Sequence, residues 1–341
     1  MYCCPECFGD RSLRKDIFPL RSDKFGTCSF CDSENRPLLR PAELSEYFEL
    51  LISAYQNTAD GKLLIEWFRE DWGLFEHPRM DDSRAKKLLA EIVNDGEIVL
   101  RPFAPAFVPV DDQLGDWENL REELRYKNRF FPKGEINYER LSSLLAFLAL
   151  EPCEVPRNWF RARIQSGEAP YTADKMGAPP KELASHGRAN PAGIPYLYLG
   201  STELTAISET RPYTGEIACV ADFEIDDDLA LVDLRTPKKT VSPFLLSEPE
   251  EIGRMRSDLP FLERLGDELT RPVLPQSAAI DYTPSQYLCE FIKDQEYDGV
   301  IYKSSVSAGM NIALFNPKRG RCGAVRQFRV KRVSVDAVAE E

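Results

Sequence analysis

The chain has 341 residues, room for two domains or for one large domain with an appendage, and for a sizeable core. Its apolar and charged fractions are ordinary for a globular protein. The net charge of −13 argues against a general nucleic-acid surface but leaves space for a local phosphate pocket. No apolar run approaches the length of a membrane span, and Met1-Tyr2-Cys3-Cys4-Pro5 has no apolar signal core, so a cytoplasmic protein is expected.

Five of the nine cysteines lie in the first thirty-one residues. Cys4-Pro5-Glu6-Cys7 and Cys28-Ser29-Phe30-Cys31 are two Cys-x-x-Cys knuckles, each offering two thiolates at one turn. Cys3 could replace Cys4 in register, but Cys4 completes the usual spacing. Four thiolates leave no open coordination position, so a structural zinc is expected, and it would supply the stability that so small a segment cannot bury for itself. Acidic and basic residues are nearly balanced along the segment, so no basic patch is evident.

Arg36–Pro41 reads as a linker. Leu44, Phe48, Leu51 and Tyr55 recur at three and four, predicting a helix over 42–56 that Asn57-Thr58-Ala59-Asp60-Gly61 ends. A second helix is expected around 62–70. A third is expected from an Asp81-Asp82-Ser83 cap to a stop at Asn94-Asp95-Gly96. Asp112–Tyr126 reads as a loop followed by a helix, and Tyr138–Leu150 as a helix with Leu141, Leu144, Leu145 and Leu148 on one side. His77 lacks the upstream Arg that some helical nucleases pair with a histidine, because Glu70, Asp71 and Trp72 hold those positions. It reads as a loop residue, and the helical region as a scaffold or sensor.

After Pro156 the pattern becomes β-rich. Strands are expected at Asn158–Ile164, Tyr196–Leu199, Ile217–Phe223, Ala230–Asp233, Gly299–Tyr302 and Asn311–Phe315, which fits a mixed sheet core. Ser201–Glu209 reads as a helix. Thr283-Pro284-Ser285-Gln286 starts another, with Thr as N-cap and Pro at the first helical position. Its free N–H groups could receive an anion, although simple capping by Thr283 and Ser285 is the blander reading.

His186-Gly187-Arg188-Ala189-Asn190-Pro191 joins a cation to a turn. A Gly-Arg turn can present a backbone N–H and a guanidinium fork to one anionic group. Asn190 would fix the turn. Glu209 follows near the C-terminal end of its helix, where the dipole disfavours a carboxylate, so its placement asks for another reason. A carboxylate across from a phosphate-binding Arg can stabilise positive charge that develops on a sugar. Arg161 and Arg163 share one face of their strand. Two histidines in the chain leave little for a serine-hydrolase triad. No glycine-rich dinucleotide fingerprint and no Gly-Lys-Ser/Thr phosphate loop is present, so redox use of a dinucleotide and triphosphatase activity lack support.

Trp159-Phe160-Arg161-Ala162-Arg163, the His186–Pro191 turn, Tyr198-Leu199, Glu209 and Asp298-Gly299-Val300-Ile301-Tyr302-Lys303-Ser304-Ser305 together resemble the RES domain, over about residues 155–317. Residues 42–150 resemble, more weakly, the helical region attached to some RES proteins. The resemblance implies an α+β chain in three parts: a zinc-ribbon-like segment (1–40), a helical domain (41–152) and a mixed α/β, ADP-ribosyltransferase-like RES domain (153–335). It further implies a growth-arrest toxin or defence effector that consumes NAD at the nicotinamide–ribose bond, with water or phosphate as acceptor. On this reading Arg161, Glu209 and Ser304 are catalytic. Arg188, Asn190, Tyr198, Tyr171, Ser305 and Thr283 line the NAD site, and Ser305 rivals Ser304 as the family serine. Some toxin members carry Tyr directly after the motif Arg; Ala162 stands there here, so Tyr171 or Tyr198 would supply the ring. An antitoxin or regulatory protein is the implied partner. Protein ADP-ribosylation and a non-catalytic docking module are the competing functions.

Overall fold

The computed structural model describes residues 1–107, 117–134, 136–274 and 276–334. Two compact units emerge: Met1–Leu114 with Thr236–Glu263, and Gly115–Arg235 with Arg264–Glu341.

In the first unit, β1 (Lys24–Gly26) and β2 (Arg36–Leu38) pair antiparallel, and a Cys3–Leu39 bridge extends them beside the cysteine knuckles. The short α1 (Phe18–Arg21) and then α2 (Ser45–Ser53) follow. Strand β3 (Tyr55–Leu63) pairs with β4 (Pro102–Pro105). Asn57–Gly61, expected as a helix stop, lies inside β3. The chain bulges there, and Gly61 is needed because a Cβ would meet the Phe103 carbonyl oxygen at 2.1 Å. Helices α3 (Leu64–Trp72) and α4 (Asp82–Val93) lie between these strands in sequence. Asp81 accepts from the Arg84 N–H to cap α4, and Asn94 ends it with a φ of 52°, as its sequence position suggests. Phe8, Phe48 and Phe75 form the aromatic centre of this unit, with Phe244 set against Phe48 at 5.1 Å.

The second unit opens with α5 (Trp117–Tyr126) and α6 (Tyr138–Leu148). The helix expected to reach Leu150 stops two residues early, because Ala149–Leu150 forms the short strand β5. Then come β6 (Asn158–Ile164), β7 (Leu197–Gly200), α7 (Glu203–Glu209), β8 (Ile217–Ile225) and β9 (Leu231–Asp233). The chain returns to the first unit through α8 (Pro237–Thr240), and α9 (Pro249–Thr270) carries it across the boundary between Glu263 and Arg264. Short α10 (Ala278–Asp281), α11 (Thr283–Asp294), β10 (Gly299–Lys303), β11 (Met310–Leu314) and β12 (Gly320–Arg329) complete the second unit.

Eight strands form one sheet in the order β12-β8-β6-β7-β11-β10-β9-β5, antiparallel except for β9 beside β10. The architecture is thus the α+β arrangement expected. Trp159, Leu199, Phe223, Ile301 and Ile312 sit in the buried core packed on this sheet. Strand β6 pairs with β8 along its whole length but with β7 only at Phe160–Gly200. The sheet therefore splays between β6 and β7, and that splay positions the site.

Candidate active site

A cleft of about 300 Å³ opens at the splay. It is lined from β6 by Phe160, Arg161 and Ala162, from β7 by Tyr198, Leu199 and Gly200, and from α7 by Ala206 and Glu209. His186, Gly187 and Arg188, together with Tyr282, Tyr302 and Asn311, close the remaining walls. The structure thus brings Arg161, Arg188 and Glu209, three residues far apart in sequence, into one hollow.

Arg161 reaches across the gap between the strands, where its Nη1 donates to the Tyr198 carbonyl at 2.8 Å. Its Nε is shut off from solvent and has no hydrogen-bond partner. Desolvation, with the charge of Arg163 second, draws the Arg161 pKa down to about 10. Arg163, on the same strand, lies over the Tyr171 ring instead and donates to the Lys175 carbonyl.

Arg188 is buried. Its Nη1 donates to the Arg271 carbonyl at 2.5 Å, at the C-terminal end of α9, and its Nη2 donates to Ser305 Oγ at 2.9 Å. Its guanidinium lies 5.4 Å from the centre of the Tyr282 ring. The helix end is electronegative and so offsets part of this charge. Among the described residues, neither Arg161 nor Arg188 forms an ion pair with a carboxylate. A hollow holding two desolvated cations with no paired anion favours an anionic occupant.

The turn that carries Arg188 is fastened from several sides. Asn190 Nδ2 donates to the carbonyls of Ser185, Pro191 and Ile194, and its Oδ1 accepts from the Tyr198 hydroxyl at 2.7 Å. That hydroxyl in turn accepts from the Ala189 N–H. Gln286 Nε2 donates to the Gly187 and Asn190 carbonyls, and Ser285 Oγ to that of Arg188. Gly187 is obligatory because a Cβ there would lie 2.3 Å from Asn190 Oδ1 and 2.5 Å from the Tyr198 hydroxyl. Of the two sequence readings for Asn190, its hydrogen bonds all serve the turn.

Thr202 caps α7 by accepting from the Thr205 N–H, and the helix delivers Glu209 at its last turn. The carboxylate is exposed and opens onto the cleft. Oε1 accepts from Ser304 Oγ at 2.7 Å and from Asn311 Nδ2 at 2.6 Å, which fixes the group and leaves Oε2 outside these two bonds. The family serine and its rival therefore face different groups: Ser304 holds Glu209, and Ser305 holds Arg188. Burial pushes the Tyr302 hydroxyl well above its usual pKa, so it stays protonated.

Five sequence candidates are not among the lining residues: Ser304, Ser305 and Asn190 stand behind it, holding Glu209, Arg188 and the turn, while Tyr171 and Thr283 stand apart. Tyr171 packs against the core, with its hydroxyl paired to Ser166. Thr283 is not the N-cap: Tyr282 precedes the helix in a helical conformation, and the Thr283 hydroxyl donates back to the Ala279 carbonyl. The helical turn of α10 leads straight into α11, so this helix start is not an open anion site. The residues missed in the sequence are Asn311, Tyr282 and Gln286. Asn311 did carry a signal, as a lone amide in the otherwise apolar Met310–Leu314. Gln286 stood in the sequence only as part of a helix start, whereas its partners lie about a hundred residues away.

In the first unit, the Sγ atoms of Cys4, Cys7, Cys28 and Cys31 lie within 4.8 Å of one another, all buried. Cys4 and Cys31 approach to 3.4 Å and Cys7 and Cys28 to 3.3 Å, and all nine cysteines are free thiols. Zinc–sulfur bonds of about 2.3 Å put tetrahedral sulfurs about 3.8 Å apart, so this donor set fits the ion. Cys3 stands apart, with its thiol turned to the Leu39 carbonyl.

The RES domain family profile matches residues 158–333, more than half of the chain, and the protein belongs to that family. No curated protein matches it. Among solved structures, a chain in the crystal structure of the M.tuberculosis MbcT-MbcA toxin-antitoxin complex is similar at 15% identity, with a TM-score of 0.32. The match covers 56% of this chain and 93% of that one.

Proposed function

We propose that this protein is an NAD-consuming enzyme that breaks the nicotinamide–ribose bond and acts as a growth-arrest toxin or defence effector in the cytoplasm. The observation that carries this reading is the pairing, in one cleft, of two carboxylate-free guanidiniums with a carboxylate held by Ser304 and Asn311. Membership of the RES family, whose toxin members degrade NAD, supports the choice of substrate.

Arg161 and Arg188 grip the pyrophosphate through charge-assisted hydrogen bonds. Glu209 faces the nicotinamide-bearing ribose through Oε2. The C1′–N bond breaks, its electron pair leaves with neutral nicotinamide, and positive charge spreads over C1′ and the ring oxygen. A fixed carboxylate binds that transition state more strongly than the ground state. An oxygen of water or inorganic phosphate then bonds to C1′, and its proton passes to solvent. Ser304 is a positioning residue rather than a nucleophile, since its hydroxyl is committed to Glu209. Cys4, Cys7, Cys28 and Cys31 would hold a zinc ion that stabilises the N-terminal segment and takes no part in the reaction. An antitoxin or other regulatory protein would restrain the activity.

Incubation of the purified protein with NAD labelled in its adenylate phosphate tests this proposal. Free nicotinamide with equimolar label in ADP-ribose or its 1″-phosphate is the expected result. Label on a polypeptide would reassign the protein as a transferase. Intact NAD after prolonged incubation would overturn the reading.

A further inference from the structure

Helix α7 has two working faces. Ala206 and Glu209 look into the cleft, as does Thr210 at the helix end, while Leu204, Ile207 and Ser208 recur at helical spacing on the other side, with Arg211 just beyond the helix. That second face walls a separate groove of about 790 Å³, closed by the 306–308 loop and by the chain from Phe328 to Ser334. Three of its apolar side chains stand in solvent: Leu204 is 69% exposed, Val306 41% and Val333 46%.

The charge of the groove is opposite to that of the molecule. Arg211, Arg329, Lys331 and Arg332 line it, and no Asp or Glu does, in a chain of net charge −13. Among the described residues, none of the four forms an ion pair with a carboxylate. Arg211 and Arg329 spend hydrogen bonds on the Val273 and Gly215 carbonyls, which fixes their place without neutralising them. An exposed apolar strip bordered by unneutralised cations selects an occupant that is both apolar and acidic.

We infer that this groove is the docking site for an acidic segment of a partner protein that alternates apolar and carboxylate side chains. The apolar residues would cover Leu204, Val306 and Val333, and the carboxylates would meet the basic rim. Such an occupant touches both segments that hold the candidate acid in place. Leu204 and Ile207 belong to the helix that carries Glu209, and the 306–308 loop begins just beyond Ser304. That loop is tied to α7 through Ser307 Oγ and Thr205 Oγ1 at 3.1 Å. Docking therefore has a short route to the cleft, although the binding itself is independent of what the cleft does.

Fluorescence anisotropy with the full-length protein tests this inference, using as probe a labelled short peptide that alternates glutamate and leucine. Saturable binding below about 1 mM is expected, weakening as salt rises toward 1 M. Leu204→Asp and the double change Arg211→Glu with Arg332→Glu should each weaken binding about tenfold or more. Glu209→Gln, on the other face, should leave it unchanged. A matched lysine–leucine peptide should not bind. Equal binding of the lysine peptide, no binding of the acidic one, or indifference to Leu204→Asp would each overturn the inference. Displacement of the peptide by oligo-dT, together with indifference to Leu204→Asp, would reassign the groove to nucleic-acid phosphates. A dimer that Leu204→Asp dissociates in sedimentation, with no peptide binding, would reassign it to a second copy of the chain.

Discussion

Gly187→Ala is the sharpest perturbation of the Arg188 turn. The added methyl would lie 2.3 Å from Asn190 Oδ1 and 2.5 Å from the Tyr198 hydroxyl. Neither atom can swing away cheaply, since the two are bonded to each other and hold further backbone partners on both sides. Overpacking of this kind costs about 1–3 kcal/mol. Separating the Asn190–Tyr198 pair leaves buried polar atoms unsatisfied, which costs about another 1–3 kcal/mol. The variant should therefore lose about 2–6 kcal/mol, seen as a lower urea midpoint by near-UV circular dichroism. Because the turn carries Arg188, the KM for NAD should rise about tenfold or more in the fraction that stays folded. Removing the Tyr198 hydroxyl relieves one of the two clashes, so Gly187→Ala with Tyr198→Phe should cost less than the sum of the single changes. A Gly187→Ala protein with the wild-type midpoint and KM would refute the reasoning.

Arg161→Met removes a desolvated cation whose Nε has no partner. Stability should hold or rise by about 1 kcal/mol, while NAD affinity measured calorimetrically falls about tenfold or more; undiminished affinity would count against Arg161 as an anion ligand. Asp10 is buried in the first unit, where it accepts from the Leu13 N–H and Ser242 Oγ, and burial raises its pKa to about 6. The native state then binds this proton more tightly than the unfolded chain, so stability falls as pH rises from about 4 through 6, by about 3 kcal/mol from this group. Asp10→Asn should gain on wild type by a comparable amount between pH 4 and pH 7.5 in urea titrations, and a constant difference across that range would contradict the assignment. Metal analysis should find one zinc per chain, lost in Cys7→Ser with Cys28→Ser, and a strong chelator should selectively destabilise the N-terminal segment; a metal-free protein with unchanged hydrogen exchange there would dismiss the ion.

Much of the RES domain could be read in the sequence because its central strands are apolar runs. Strands β6, β7, β8, β10 and β11 begin and end within about two residues of expectation. Strand β12 was missed for the converse reason. It is an edge strand of sequence Gly-Arg-Cys-Gly-Ala-Val-Arg-Gln-Phe-Arg, mostly exposed, held by its ladder to β8 and by pairs such as Arg321 with Asp226. Helix α9 was not anticipated either: Ile252, Met255, Leu259, Leu262, Leu265 and Leu269 recur at three and four and are buried, but heavy charge and Pro260 within the 22 residues masked that stripe. The return of Thr236–Glu263 to the first unit is a tertiary fact that no local periodicity encodes.

At the site, the charged residues were legible and their supports were not. Arg161, Arg188 and Glu209 stood out as cations and an acid in motif order. Asn311 and Gln286 act on partners about a hundred positions away, so their roles appear only once the sheet and α11 are assembled. Thr283 was misplaced for a related reason: a capping pattern read locally could not show that α10 runs directly into α11.

The most direct test compares nicotinamide release from NAD by the wild-type protein and by Glu209→Gln. Glutamine keeps the side-chain shape and an oxygen for Ser304 and Asn311 while removing the charge. Turnover should fall about a hundredfold or more, with NAD still bound through Arg161 and Arg188. Wild-type rates in the glutamine variant, or no release by either protein, would contradict the account.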